Sequence, residues 1–186
     1  MKLRSICTAL GLTAFTLCVS VLPAFSQDEV NNFSDQVTFS CETKMDLVNN
    51  EKNPTTVAWI SGKTTPIQLI VWKSKYFQES GWTRQKRCEI VSKKFQTALD
   101  SGRYYLVAGE IGSYPIVCAV NSLNQTCDKN YQLFQLQIGS KAEEILERLI
   151  SIQDGVNSSP IWQSSGDRKY LNIYDYLKKA SSVNID

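Results

Sequence analysis

The sequence contains no histidine among its 186 residues. This absence excludes Ser-His-Asp and Cys-His catalysis, because each needs an imidazole to transfer a proton. It also excludes the His-Glu-x-x-His metal site and most ordinary catalytic zinc sites, in which histidine supplies ligands. A Ser-x-x-Lys pattern, typical of serine–lysine acyl transferases, is missing after position 26. Each of these mechanisms therefore lacks at least one required residue in this chain.

A phosphate-binding loop is also missing. Ser61-Gly-Lys-Thr64 has the end of such a loop, but Val57 stands where its first glycine is required. We interpret this segment as a hairpin turn. Acidic pairs such as Glu143-Glu144 are expected on a solvated helix face, although a catalytic pair assembled from distant loops stays an open alternative.

The first 26 residues predict a signal peptide. A basic start, an apolar run from Ile6 to Leu22 and small residues at Ala24 and Ser26 match the pattern that signal peptidase cleaves. The run is short for a membrane-spanning helix, and Leu17 before Cys18 disfavours lipidation. Cleavage removes two of the 20 basic residues and leaves 18 against 18 acidic ones. A balanced mature chain has no general basic excess for nucleic acid, so no nucleic-acid partner is predicted.

After the signal peptide the chain predicts one domain. We expect a loose terminus over residues 27–36, the domain over 37–180 and a tail over 181–186. The predicted destination is outside the cytoplasm, in the periplasm or the thylakoid lumen, because both are reached by similar signals.

Four cysteines stay in the exported chain, and an even number there predicts disulfides. Three pairings are open, of which Cys118 with Cys127 is favoured because the pair flanks a turn-rich segment. Cys41 would then pair with Cys88. A zinc site is the alternative, but its usual closely spaced cysteine pairs are absent, so no metal or other cofactor is predicted.

Apolar patterns predict an α+β fold with one mainly antiparallel sheet of five to six strands and two to three helices. The predicted strands cover 37–41, 55–60, 66–72, 104–108, 114–120 and 131–138, and the predicted helices cover 83–101, 142–153 and 170–179. The strongest helix starts at Thr83 as N-cap and ends at Gly102. Its apolar stripe contains Cys88, Val91, Phe95, Ala98 and Leu99.

Several short motifs resemble one known family. These are Ser80-Gly-Trp-Thr83, Arg87-Cys88, Val91-Ser92, Phe95-Gln96, Val71 to Phe77, Tyr114 to Cys118 with Cys127, and Leu133 to Leu136. In this order they resemble the circadian oscillating protein domain of cyanobacteria, from about Phe39 to Pro160. One departure is Arg84, where the family pattern has proline; since proline there only presets the first helical turn, the departure changes little.

The resemblance implies export, rhythmic expression in the member that named the family, and a role that allows peripheral association with a membrane. It implies no catalytic mechanism, and no catalytic residue can be transferred to this sequence.

Positive charge is concentrated around the strongest helix. From Lys73 to Lys94 there are seven basic residues and two acidic ones. We define the basic surface as Trp82, Lys86, Arg87, Lys93 and Lys94. It would contact an anionic partner such as lipid headgroups, cell-wall polymer or an acidic protein. The alternative is that these cations only solvate the outer face of the helix.

Two functions remain from the sequence. The first is a non-enzymatic binding or scaffold domain that uses the basic surface, with a membrane or another extracytoplasmic protein as partner. The second is a histidine-free hydrolase or lyase that uses carboxylates and tyrosines, which would need two convergent acids in one pocket.

Overall fold

The computed structural model describes residues 33–46, 50–151, 163–165 and 168–182. The predicted signal peptide, residues 27–32 of the predicted loose terminus and residues 183–186 of the predicted tail lie outside this part. Phe33–Gln36 belongs to the segment that was predicted to be loose, and it forms a 3-10 helix. Its Phe33 ring packs edge-on against Tyr174 with the ring centroids 5.3 Å apart, so this part of the terminus is fixed to the domain.

The first sheet has three antiparallel strands in sequence order. They are β1 (Val37–Asp46), β2 (Glu51–Ile60) and β3 (Ile67–Val71). The predicted hairpin at residues 61–65 is confirmed, because β2 and β3 pair across it. Both β1 and β2 extend further than predicted, since cross-strand pairing continues from Cys41–Thr56 to Asp46–Glu51 through residues too polar to show a strand pattern.

The second sheet has five strands in the order β6-β5-β4-β8-β7, all antiparallel. They are β4 (Tyr105–Ile111), β5 (Tyr114–Val120), β6 (Gln132–Gln135), β7 (Gln163–Ser165) and β8 (Arg168–Asn172). β4, β5 and β6 follow one another along the chain and pair as antiparallel neighbours. β7 and β8 lie outside the predicted strands, and β8 includes Tyr170, which was predicted to begin the third helix.

Three helices pack on these sheets: α1 (Arg84–Asp100), α2 (Ala142–Ser151) and α3 (Ile173–Ser182). The α+β class, the mainly antiparallel pairing, the number of helices and the two disulfides are therefore as predicted, with the strands divided between two sheets instead of one. The division has a physical cause: α1 separates the two sets of strands along the chain and contacts β1 and β2 of one sheet and β5 and β6 of the other.

Both ends of α1 form as the sequence predicts. The Thr83 hydroxyl accepts the Lys86 amide at 3.2 Å, which satisfies a first-turn donor. At the other end Gly102 has φ +69°, and the amides of Gly102 and Arg103 donate to the carbonyls of Leu99 and Ala98. This Schellman arrangement needs the left-handed backbone that glycine adopts without strain.

The buried side of α1 joins the core through both apolar and polar contacts. All five residues of the predicted apolar stripe are buried. Beside them the Ser92 hydroxyl lies 3.1 Å from the Thr56 hydroxyl, which accepts the Trp72 indole N–H at 3.0 Å. Because buried polar groups cost free energy when unpaired, this network fixes the rotation of α1 on β2 and on Trp72, the residue after β3.

Both predicted disulfides form. Cys41 on β1 is bonded to Cys88 on α1, and Cys118 on β5 is bonded to Cys127 in the β5–β6 connection. The bonds span 47 and 9 positions of sequence. Two such bonds indicate an oxidising environment for this domain.

Tyr176 on α3 gives the domain a predicted alkaline sensitivity. Burial raises the pKa of its phenol from 10.0 to about 12. Between these values the unfolded chain loses a proton that the folded chain retains, so the free energy of unfolding falls as pH rises. We expect Tyr176→Phe to flatten this fall by at most roughly 1.4 kcal/mol per pH unit. Urea denaturation from pH 9 to 12 measures it, with Tyr114→Phe, at an exposed site, as control. Equal slopes in all three proteins would contradict the prediction.

Candidate binding cleft on helix α1

A cleft of about 440 Å³ lies beside α1. Its walls come from α1, from the segment between β3 and α1, and from β5 and β6. Its lining residues are Trp72, Phe77, Ser80, Trp82, Arg87, Ile90, Val91, Lys94, Tyr114, Gln132, Leu133, Phe134 and Gln135. The volume falls within the range of small-molecule sites.

The segment leading into α1 positions one wall. Consecutive turns form where the amides of Gln78, Gly81 and Trp82 donate to carbonyls three to five residues earlier. Gly81 has φ +79°, a left-handed conformation that favours glycine. The turns hold Phe77 on the inner side and leave Trp82 43% exposed, so an aromatic ring stands at the edge of the cleft.

Arg87 lies between two aromatic side chains. Its guanidinium carbon is 5.2 Å from the ring centroid of Trp72 and 5.5 Å from that of Phe77, and Nη2 donates to the Ser74 carbonyl. Burial, and secondarily the charge of Arg84, lower the pKa of Arg87. Its Nε is buried and has no hydrogen-bond partner within the described residues. Arg87 is therefore a fixed and only partly compensated cation.

Lys94 lies two helical turns further along the same side of α1. Its Nζ donates to the Gln132 carbonyl at 2.9 Å. Burial lowers the pKa of Lys94. Within the described residues, neither Lys94 nor Arg87 has an ion-pair partner. A partly buried cation without a counter-ion costs free energy, and a bound anion would reduce that cost.

The predicted basic surface is divided by the cleft. Trp82, Arg87 and Lys94 line the cleft, whereas Lys86 and Lys93 are exposed and are not among its lining residues. Lys86 stays near the first group, because its Nζ lies 4.8 Å from the Trp82 ring centroid. Helical spacing puts Arg87 and Lys94 at the flanks of the apolar stripe, and both side chains are half-buried there.

Arg84, at the start of α1, is bound by a neutral partner on the first sheet. Its Nη1 donates to the amide oxygen of Asn53 at 2.9 Å. Asn53 is fully buried on β2, and a neutral amide avoids placing a second charge in that interior position. Within the described residues, Arg84 is thus bound to a dipole and has no carboxylate partner.

The opposite wall of the cleft could not be found from sequence. Tyr114, Gln132, Phe134 and Gln135 come from the second sheet. Tyr114 is 38% exposed at the start of β5. Phe134 packs edge-on against Trp72 with the centroids 5.9 Å apart. The sequence shows only a tyrosine two residues after Gly112, and its exposure beside α1 is a property of the fold.

The charged side chains that line the cleft are all positive. No aspartate or glutamate occurs among its lining residues, which include two cations. The first turn of α1 likewise has no acidic residue, although a cation there opposes the helix dipole at a cost of about 0.3–1 kcal/mol. The pKa of Glu42 is lowered overall: burial raises it, but hydrogen bonds from Lys44, Trp59 and Ser40 and the charge of Lys44 together lower it by more. Glu42 lies on β1 and not in the cleft.

These features determine what chemistry the cleft can support. A two-carboxylate mechanism has no acids here, and no group of three His, Cys, Asp or Glu side chains within the described residues could hold a metal ion. In the same part of the chain no helix is long and apolar enough to cross a membrane. Two cations among aromatic side chains are instead suited to binding an anion.

The fold and this cleft together define the class: a disulfide-linked α+β domain with a basic, aromatic cleft on one helix. Residues 38–178 match the family model described as Circadian oscillating protein COP23. The chain belongs to this family, and the match extends the resemblance seen in the sequence by including β8 and most of α3. No curated protein and no solved structure matches the chain.

Proposed function

We propose that this protein is a non-enzymatic binding domain that works outside the cytoplasm, in the periplasm or the thylakoid lumen, and attaches to an anionic membrane surface through its basic surface. The observation that carries the proposal is the exposed Trp82 ring beside Lys86 at the start of a helix whose first turn has no acid. Tryptophan with neighbouring cations is typical of side chains that settle at a membrane interface.

Lys93 adds a second exposed charge to this surface. It lies seven residues after Lys86, so the two lysines project from the same side of α1 about 10.5 Å apart along its axis. Within the described residues neither belongs to an ion pair. Each basic residue close to an anionic bilayer contributes about 1 kcal/mol of attraction, which salt screens.

Vesicle flotation of the full chain tests the proposal. We expect binding to vesicles that contain phosphatidylglycerol and not to pure phosphatidylcholine vesicles, and a loss of binding as salt rises. Lys86→Glu/Lys93→Glu should weaken binding at least roughly thirty-fold, since it removes two attractions of about 1 kcal/mol each.

The matched control is Lys52→Glu/Lys178→Glu, which makes the same change of charge at two exposed positions on β2 and α3. This control should bind anionic vesicles almost as well as the parent protein. Equal losses in both double variants would show a general charge effect and contradict a role for the basic surface. Equal binding to neutral and anionic vesicles would contradict the proposal itself.

A further inference from the structure

The two cations inside the cleft have a different environment from the two lysines outside it. Lys86 and Lys93 are exposed to solvent, where pairing with a counter-ion contributes little free energy. Arg87 and Lys94 are half-buried, and no carboxylate lines the cleft around them. Each of the two cations already donates to a backbone carbonyl, but within the described residues neither has a carboxylate partner, and a bound anion would supply the missing negative charge. Of the two pairs of cations, the pair in the cleft should therefore contribute more free energy to the binding of an acidic group.

The walls between these cations fit an apolar body. The rings of Trp72, Phe77, Trp82 and Phe134 all border the cleft. The guanidinium of Arg87 lies over two of these rings, 5.2 Å from the Trp72 centroid and 5.5 Å from the Phe77 centroid. Ligand sites commonly combine such aromatic walls with a few charged groups that orient the ligand.

We propose that the cleft binds a single amphipathic anion, with its acidic head at Lys94 and Arg87 and its apolar body against the aromatic walls. The occupant is a phosphate- or carboxylate-bearing amphiphile, taken either from a bilayer or free from solution. This inference deepens the proposed function, on which it rests, because Arg87 and Lys94 belong to the basic surface. It adds a stoichiometric site for one molecule to a general attraction to a charged surface.

The aromatic walls would also hold a cation through their ring faces, so the sign of the ligand's charge is the sharpest test. The probes are decyl phosphate and decyltrimethylammonium, each below its micelle concentration, titrated calorimetrically into the full chain. We expect decyl phosphate to bind with one molecule per chain and decyltrimethylammonium not to bind. Equal affinity for both probes would overturn the proposal.

Three variants locate the site. Lys94→Met keeps the apolar stem but removes the charge, and should weaken decyl phosphate binding about tenfold or more, the usual effect of losing a charged hydrogen bond. Lys178→Met makes the same change at an exposed position on α3, outside the basic surface, and should alter affinity less than about twofold. Ile90→Trp fills the cleft without a change of charge and should also weaken binding. Unchanged affinity in both Lys94→Met and Ile90→Trp would overturn the site.

Indole signals provide a readout that does not need a variant. In nitrogen–proton correlation spectra, decyl phosphate should shift the indole N–H signals of Trp72 and Trp82, which line the cleft. The Trp59 indole instead donates to Glu42 on the first sheet and should stay in place. Shifts confined to Trp59 would place the ligand elsewhere and overturn the proposal.

Vesicle flotation of the same variants separates the two ligand sources. If Lys94→Met loses both decyl phosphate and anionic vesicles, the ligand is a lipid taken from the bilayer. If it loses decyl phosphate only, the ligand is a free amphiphile. Failure of the proposed function would give a different result. In that case Lys86→Glu/Lys93→Glu would still float with anionic vesicles, whether or not decyl phosphate binds in the cleft.

Discussion

Gly109→Ala is expected to lower the free energy of unfolding by about 3 kcal/mol, the upper end of the usual cost of overpacking. Gly109 lies on β4, and a Cβ added there would come within 2.5 Å of Cys127 Sγ and 2.7 Å of Cys127 Cβ. Ordinary contacts need about 3.5 Å. Cys127 cannot move aside, because it is bonded to Cys118 in the interior of the second sheet.

A double-mutant cycle tests this cause. In a Cys118→Ala/Cys127→Gly background the obstructing side chain is gone, so Gly109→Ala should cost much less there than in the parent protein. Glu110→Ala at the next, exposed position should change stability by less than about 0.5 kcal/mol. Urea denaturation measures all of these proteins. An equal cost of Gly109→Ala in both backgrounds would show that the clash with Cys127 is not its origin.

The same variant also separates stability from binding. Gly109 and Cys127 are not among the lining residues of the cleft. Folded Gly109→Ala protein should therefore bind decyl phosphate with the affinity of the parent. A loss of affinity would mean that the second sheet transmits its packing to the cleft.

Local patterns predicted α1 almost completely, and the reason is physical. Its N-cap, its glycine terminus and its apolar stripe each depend on residues within one or two helical turns of each other. The pairing of the two disulfides could also be predicted, because four cysteines allow only three pairings and one candidate pair flanks a turn. In the structure both disulfides join the cysteines that were paired in this way.

Strand β8 shows where such patterns fail. Tyr170, Tyr174 and Leu177 have helical spacing, and the sequence therefore predicted a helix from Tyr170. In the structure Tyr170 pairs with Val107 in a strand, and α3 starts only at Ile173. Pairing with β4 is a tertiary interaction that outweighs the local preference, and one chain contains no local sign of it.

Only one side of the candidate cleft could be predicted from the sequence. Lys94 and Arg87 could be placed beside the apolar stripe of α1 from helical geometry alone, but a cleft needs an opposite wall. That wall contains Tyr114 and Phe134, which reach α1 only because the chain folds into two sheets with α1 against both. The difference between a solvated basic face and a binding cleft is therefore a property of the tertiary fold, which helical periodicity does not contain.

The Cys41–Cys88 bond is expected to contribute more stability than the Cys118–Cys127 bond. Loop-closure entropy gives about 4 kcal/mol for the longer loop and about 2.7 kcal/mol for the shorter one. The longer loop includes β2, β3 and the first turns of α1, so its release frees most of the first sheet in the unfolded chain. Cys41→Ala/Cys88→Ala should therefore be the less stable of two matched double variants, the other being Cys118→Ala/Cys127→Ala.

Urea denaturation at 15 °C, with the disulfide that remains in each variant verified by peptide mapping, measures the difference. The folded Cys41→Ala/Cys88→Ala protein should keep the cleft, because α1 is also held by Arg84 on Asn53 and by Ser92 on Thr56. Decyl phosphate should then raise the stability of both double variants by equal amounts at equal free ligand. Equal losses of stability in the two variants would contradict the loop-length explanation. A ligand effect missing only without the Cys41–Cys88 bond would show that this disulfide also positions the binding cleft.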